Sequence, residues 1–149
     1  MKTLVLAIGK LRGAEASWSD EYLKRLGKAV EVRAFTVSSS LPPVEAQKAE
    51  AALLLKAIPE KSIVVLLDER GHALTSRALA SKLAQWHERG TVTFIIGGAD
   101  GVTDEVRMRA DVTLCFGSLT WPHKLVRVML LEQLYRAQQI CAGHPYHRD

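Results

Sequence analysis

Ser62-Ile63-Val64-Val65-Leu66-Leu67 and Thr91-Val92-Thr93-Phe94-Ile95-Ile96 decide the fold. Both are short, β-branched and almost continuously apolar, the pattern of strands covered on both faces. A helical pattern lies between them over 76–89, opened by Thr75 and closed by Gly90. Strand, helix and strand in that order make one unit of a largely parallel sheet. Outward from this unit the alternation continues. Further strands are predicted at Thr3–Ile8, Val30–Val37 and Val112–Phe116, and helices near 19–28, 44–57, 103–110 and 122–142. Ser17 or Ser19 is the expected cap of the first helix, and Thr103 with Asp104 and Glu105 opens the fourth. The predicted fold is α/β, a mostly parallel sheet flanked by helices, in a single domain over 1–149.

Composition agrees. The chain has 149 residues, 48% of them hydrophobic and 24% charged, with a net charge of +4. That composition excludes disordered, collagen-like and coiled-coil classes, and the mild basicity permits an anionic partner without demanding one. Cys115 and Cys141 cannot form a disulfide framework, so a reducing cytoplasm is the expected setting. The apolar opening Thr3–Ile8 is too short for a signal peptide and ends at Gly9-Lys10 without a cleavage motif. No apolar run reaches membrane-spanning length.

In parallel sheets, ligands sit beyond the carboxyl ends of the strands. Three predicted loops lie there: Leu67-Asp68-Glu69-Arg70-Gly71, Gly97-Gly98-Ala99-Asp100-Gly101 and Gly117-Ser118-Leu119-Thr120-Trp121-Pro122-His123. Glycine at such positions serves either a tight turn or the close approach of a ligand to the backbone. The spacing matches neither a dinucleotide fingerprint nor a P-loop. Pro122 suits the start of a helix, and that helix begins Leu125-Val126-Arg127-Val128-Met129-Leu130-Leu131, apolar almost all round. One side can pack on the sheet, and a second copy of the chain is the simplest cover for the other. The tail Gly143-His144-Pro145-Tyr146-His147-Arg148-Asp149 reads as a solvated end, as a weak histidine metal site, or as an RNA contact in which Arg148 meets phosphate and Tyr146 stacks.

Taken together, Ile96-Gly97-Gly98-Ala99-Asp100-Gly101, Leu119-Thr120-Trp121-Pro122-His123, Arg127-Val128, Glu132-Gln133, Tyr135-Arg136-Ala137 and Tyr146-His147-Arg148 resemble the RlmH-type rRNA methyltransferases of the SPOUT class. Leu6-Ala7-Ile8-Gly9-Lys10 fits too, so the likeness spans nearly the whole chain. Ala99 and Trp121 depart from the commoner residues at their positions, without altering the backbone logic.

The resemblance implies a C-terminal deep trefoil knot, a homodimer with a composite active site, and S-adenosyl-L-methionine as methyl donor. It implies methylation at N3 of a pseudouridine in 23S rRNA of the assembled ribosome, with neither DNA nor a membrane as partner. Carried over by position, the donor pocket comprises Leu67, Gly97, Phe116, Gly117, Ser118, Leu119, Thr120 and Trp121. The acceptor nitrogen must lose a proton, so a base or a stabilising cation is required. The candidates are His147, Arg148, His123, Arg127 and Tyr146, with His147 and Arg148 foremost and Glu132 read as a structural or interface acid. The mechanism calls for no metal. A SPOUT enzyme for another RNA nucleotide and a non-catalytic ribosome-binding protein are the alternatives. Loss of the glycine loops would mark the latter.

Overall fold

The computed structural model describes residues 2–149, so Met1 lies outside the described residues. Five strands form one parallel sheet: β1 (Thr3–Ile8), β2 (Val30–Phe35), β3 (Ser62–Ala73), β4 (Thr91–Ile96) and β5 (Val112–Cys115), in the spatial order β2-β1-β4-β3-β5. The helices are α1 (Gly13–Leu26), α2 (Pro43–Ala57), α3 (Ser76–Arg89), α4 (Asp104–Arg109) and α5 (His123–Cys141), with a short 3-10 turn at Gly27–Ala29.

The continuous apolar runs are explained by two cores. On one face Val5, Val65, Phe94 and Ile96 meet Leu79, Leu83 and Trp86 of α3 and Leu130, Leu131 and Leu134 of α5. On the other, Leu4, Leu6, Val64, Leu66 and Ile95 meet Ala51 and Leu54 of α2 and Val106 of α4. Alternate residues of each central strand thus serve opposite cores. Helix α5 packs between α1 and α3, so much of its apolar girth is covered within the chain. Among the described residues no helix is long and apolar enough to cross a membrane.

Thr75 and Thr103 cap α3 and α4 as the sequence predicts, accepting from Ala78 N at 3.1 Å and Val106 N at 3.4 Å. The first helix differs. It begins at Gly13, six residues before the predicted start, and Ser17 and Ser19 lie inside it. Ala14, Glu15 and Ala16 are good helix formers, and their propensity outweighs the capping signal of the serines. Ser19 is buried instead.

The larger correction concerns β3. Its predicted end at Leu67 is not an end, because extended backbone continues to Ala73. Val65–Leu67 pair with Val112–Leu114, and after an irregularity His72 and Ala73 pair with Leu114 and Cys115. Leu114 therefore faces β3 twice, while Asp68–Arg70 bow out between the two pairings and Gly71 returns onto β5. Gly71 makes this possible. A Cβ there would lie 2.7 Å from the backbone of Thr113 and Leu114, closer than packed atoms tolerate.

Gly71→Ala is expected to destabilise the protein by about 1–3 kcal/mol, the usual cost of forced overpacking. The urea midpoint of unfolding measures it, and an unchanged midpoint would show that β3 can leave β5 at no cost.

Candidate active site

The bowed middle of β3 and the carboxyl ends of β4 and β5 surround a cleft of 330 Å³, within the size range of small-molecule sites. Its first wall is the bowed segment after Leu67, its second the Gly97–Val102 turn, and its third the loop Phe116–Trp121. His123 and Val126 at the start of α5 complete it.

The turn after β4 is tight. Gly101 N–H donates to Gly98 O at 3.1 Å, and Gly101 has φ +77°, where a side chain would be strained. A Cβ on Gly97 would meet Val102 Cγ1 at 2.6 Å. The glycine run thus serves the turn, and it also leaves bare backbone on the cleft side. In the third loop, Trp121 Nε1 donates to Phe116 O at 3.2 Å, folding the indole back over the loop. Thr120 Oγ1 donates to Glu69 Oε2 at 2.7 Å and ties this loop to the first wall. Of the predicted donor residues, Leu67, Gly97, Phe116, Gly117, Leu119, Thr120 and Trp121 line the cleft, whereas Ser118 is exposed in the same loop and is not part of the lining.

Two charged contacts brace the walls. Arg107 of α4 pairs with Asp68 of β3, and Asp68 Oδ1 also accepts from Arg70 N at 2.8 Å. Burial works to raise the Asp68 pKa. The Arg70 amide and the Arg107 guanidinium overcome it, and the net shift is downward. Arg127, only 2% exposed, donates to Ile8 O at 3.1 Å and Gly9 O at 2.7 Å. It closes the open carbonyls at the end of β1, so the structure gives this predicted catalytic residue a bracing position. Burial lowers its pKa. His123 lies near Gly9, where a Cβ would be 3.6 Å from His123 Nε2. Burial, then the charges of Lys124 and Arg127, lower its pKa, so the imidazole is neutral near neutral pH.

The remaining candidates form a separate group, none of which lines the cleft. Glu132 Oε1 accepts from Arg136 Nε at 2.9 Å, Arg136 NH2 at 2.6 Å and Tyr146 OH at 3.1 Å. Tyr146 meets Tyr135 edge to face at 4.9 Å between ring centres, and Arg136 sits 4.9 Å over its ring. Burial and the Glu132 charge push the Tyr146 pKa up to about 12, so its hydroxyl stays protonated. His147 Nδ1 faces Arg136 NH1 at 3.1 Å and Nε2 faces Asp149 Oδ1 at 3.1 Å. Arginine can only donate and a carboxylate only accept, which puts the proton of neutral His147 on Nε2. Arg148 is exposed. The tail is thus an ordered platform on α5.

Asp68 and Glu69 stand in a loop the sequence singles out, but their bracing contacts with Arg107 and Thr120 have no sequence signal. Partners 39 and 51 residues apart, as in Asp68–Arg107 and Glu69–Thr120, leave no local signal. Arg136 had one, since Glu132 and Arg136 have the i, i+4 spacing of a helical ion pair.

Because the folded-state pKa of Asp68 lies below its unfolded value, its stabilising contribution is present above the unfolded pKa. It is lost as pH falls through the folded one. Asp68→Asn is expected to cost about 1.5–3 kcal/mol near neutral pH and to flatten the acid side of the stability profile. Thermal unfolding across the acid range measures both, and a profile parallel to the wild type would remove Asp68 from the brace.

The model of the family described as "Predicted SPOUT methyltransferase" matches residues 1–147. Proteins named Ribosomal RNA large subunit methyltransferase H are similar end to end. That of Rhodospirillum centenum is 47% identical over 99% of both chains. That of Bradyrhizobium diazoefficiens is 46% identical over 99% of both, and that of Paracoccus denitrificans 44% over 100% of both. A solved structure, a probable methylase family protein from Haemophilus influenzae, superposes with a TM-score of 0.58 at 12% identity, over 99% of this chain and 70% of that one. At that identity it supports the fold alone. With a match that runs the length of the chain and relatives at this level of identity, the protein belongs to the SPOUT methyltransferase family.

Proposed function

We propose that this protein transfers a methyl group from S-adenosyl-L-methionine to N3 of a pseudouridine in the 23S rRNA of the assembled ribosome, working in the cytoplasm as a homodimer. The observation that carries the reading is the end-to-end likeness to proteins named as large-subunit rRNA methyltransferases. The cleft agrees with it. Bare backbone at Gly97 and Gly98, apolar walls from Leu67, Leu119 and Trp121, and the loop carbonyls suit a flat, polar-edged adenosine.

When bound, the donor supplies an electrophilic methyl group on sulfur. Leu67, Gly97 and the Phe116–Trp121 loop, Ser118 included, would hold it and keep water away. The deep trefoil knot that the family resemblance implies would make this seat rigid.

The rest of the task is a proton. The N3 atom of a pseudouridine becomes nucleophilic on losing its hydrogen, and a positioned base or cation aids that loss. Within one chain the tail lies apart from the cleft, so in our reading the tail of one subunit faces the cleft of its partner. Arg148, exposed on the braced tail, would stabilise the developing negative charge. His147 would take the proton once Arg136 releases Nδ1. Tyr146, protonated throughout, would stack or donate. His123, neutral at the cleft, is the alternative base, and Arg127 supports its helix.

Labelled S-adenosyl-L-methionine supplied to intact ribosomes and to isolated large subunits, both from cells lacking this protein, tests the reading. Label at N3 of a pseudouridine, found by mass spectrometry and favouring intact ribosomes, is the expected result. Donor binding without ribosomal label would refute the substrate, and no donor binding would refute the cleft. Arg148→Ala is expected to lower kcat by about 10²-fold or more with unchanged donor affinity; a loss confined to donor affinity would refute its role.

A further inference from the structure

The Gly97–Val102 turn rests on α2, and two residues one turn apart on that helix reach it. Gln47 Nε2 donates to Asp100 O at 2.8 Å and to Val102 O at 3.4 Å. Glu50 is 7% exposed. A Cβ on Gly98 would lie 3.0 Å from Glu50 Oε2, 3.2 Å from Oε1 and 3.1 Å from Ile8 Cγ2. The carboxyl therefore lies against the Gly98 backbone, beneath the turn and on the side away from the cleft. Its Oε1 is shut off from solvent and has no hydrogen-bond partner among the described residues. Buried acids without a partner are rare, and this one underlies a wall of the cleft.

The charged groups around it offer no compensation. Asp100, across the turn, has the same sign. On α4, Arg107 is engaged by Asp68, Arg109 lies beside Asp111, and Asp104 and Glu105 are exposed. Strand β1 has no charged residue. On β2, Arg33 is paired with Glu31, which also meets Lys2. On α2 itself Glu45 is exposed, and Lys48 and Lys56 leave the Glu50 carboxyl without a bond.

We propose that Glu50 is a positioning residue for the donor site: with Gln47 it forms the floor that sets the height of the Gly97–Gly98 backbone in the cleft. The proposal rests on reading the cleft as the donor site. Burial first, and then the Asp100 charge, favour the uncharged acid and raise its pKa. The uncharged carboxyl can lie against the turn. Once ionised, it leaves a charge beneath the turn with no hydrogen-bond donor on its buried oxygen, and either water enters or the turn lifts. The donor then binds the protonated form more tightly, and by linkage its affinity falls as pH rises through the Glu50 titration.

Calorimetric titration of S-adenosyl-L-methionine into the full-length protein across a pH series tests this. Wild-type Kd is expected to rise about fivefold or more between the acid and alkaline limbs. Glu50→Gln, similar in shape and never charged, should keep the acid-limb Kd throughout. Glu50→Ala removes the floor and should bind weakly at every pH. A wild-type profile parallel to that of Glu50→Gln overturns the proposal, even where Glu50→Ala fails to fold. Amide exchange of Gly101 in donor-free protein at fixed acid pH is a second readout, since its N–H closes the turn on Gly98 O. Exchange should quicken in Glu50→Ala and stay unchanged in Glu50→Gln. If the wild type binds no donor at any pH, the reading of the cleft fails instead. The donor role of Glu50 falls with it, and Gly101 exchange then decides only whether Glu50 is the floor of the turn: equal rates in all three proteins overturn that as well.

Discussion

The packing of Gly71 on the backbone of Thr113 and Leu114 is the contact on which the cleft depends. It lets β3 rejoin β5 after leaving it, so Leu114 pairs with Leu67 on one pass and with His72 on the next. Asp68, Glu69 and Arg70 between them go outward and become the first wall. The loop that follows Cys115 forms the third wall and is tied to the first through Thr120 and Glu69. With any side chain at position 71 the two strands would separate and both walls would shift.

Given that frame, the charged residues near the cleft act mainly as braces. Asp68 and Arg107 join β3 to α4, and α4 follows the Gly97–Val102 turn, so the pair ties the first wall to the second. Thr120 and Glu69 tie the third to the first. Arg127 secures the root of α5 to β1 by satisfying two carbonyls that the sheet leaves open. Taking that guanidinium out of water is costly, and its Nε has no partner among the described residues. The contact therefore stabilises the fold because losing it would strand buried carbonyls, more than through any large net attraction.

The tail illustrates how a short segment becomes ordered without a core of its own. Glu132 gathers Arg136 and Tyr146, Arg136 meets His147, and Asp149 reaches His147 and Arg77. Each bond uses a charged partner, and the aromatic stack of Tyr135 and Tyr146 adds apolar area. The result presents Arg148 to solvent on a rigid base, as a site shared between subunits would require.

The sequence by itself determined the architecture, since runs buried on both faces and helical repeats of 3.6 residues report local geometry. Five strands, five helices, the Thr75 and Thr103 caps and the loops after β4 and β5 could all be read from neighbouring residues. The start of α1 was misread because capping serines compete with helix formers over the same few positions. What only the tertiary structure decided depends on residues distant along the chain: the continuation of β3 past Leu67, the Asp68–Arg107 and Thr120–Glu69 ties, the bracing place of Arg127, and Glu50 beneath Gly98. None of these has a local period or spacing. Each arises where two segments meet after the sheet has closed, and packing and charge burial act only there.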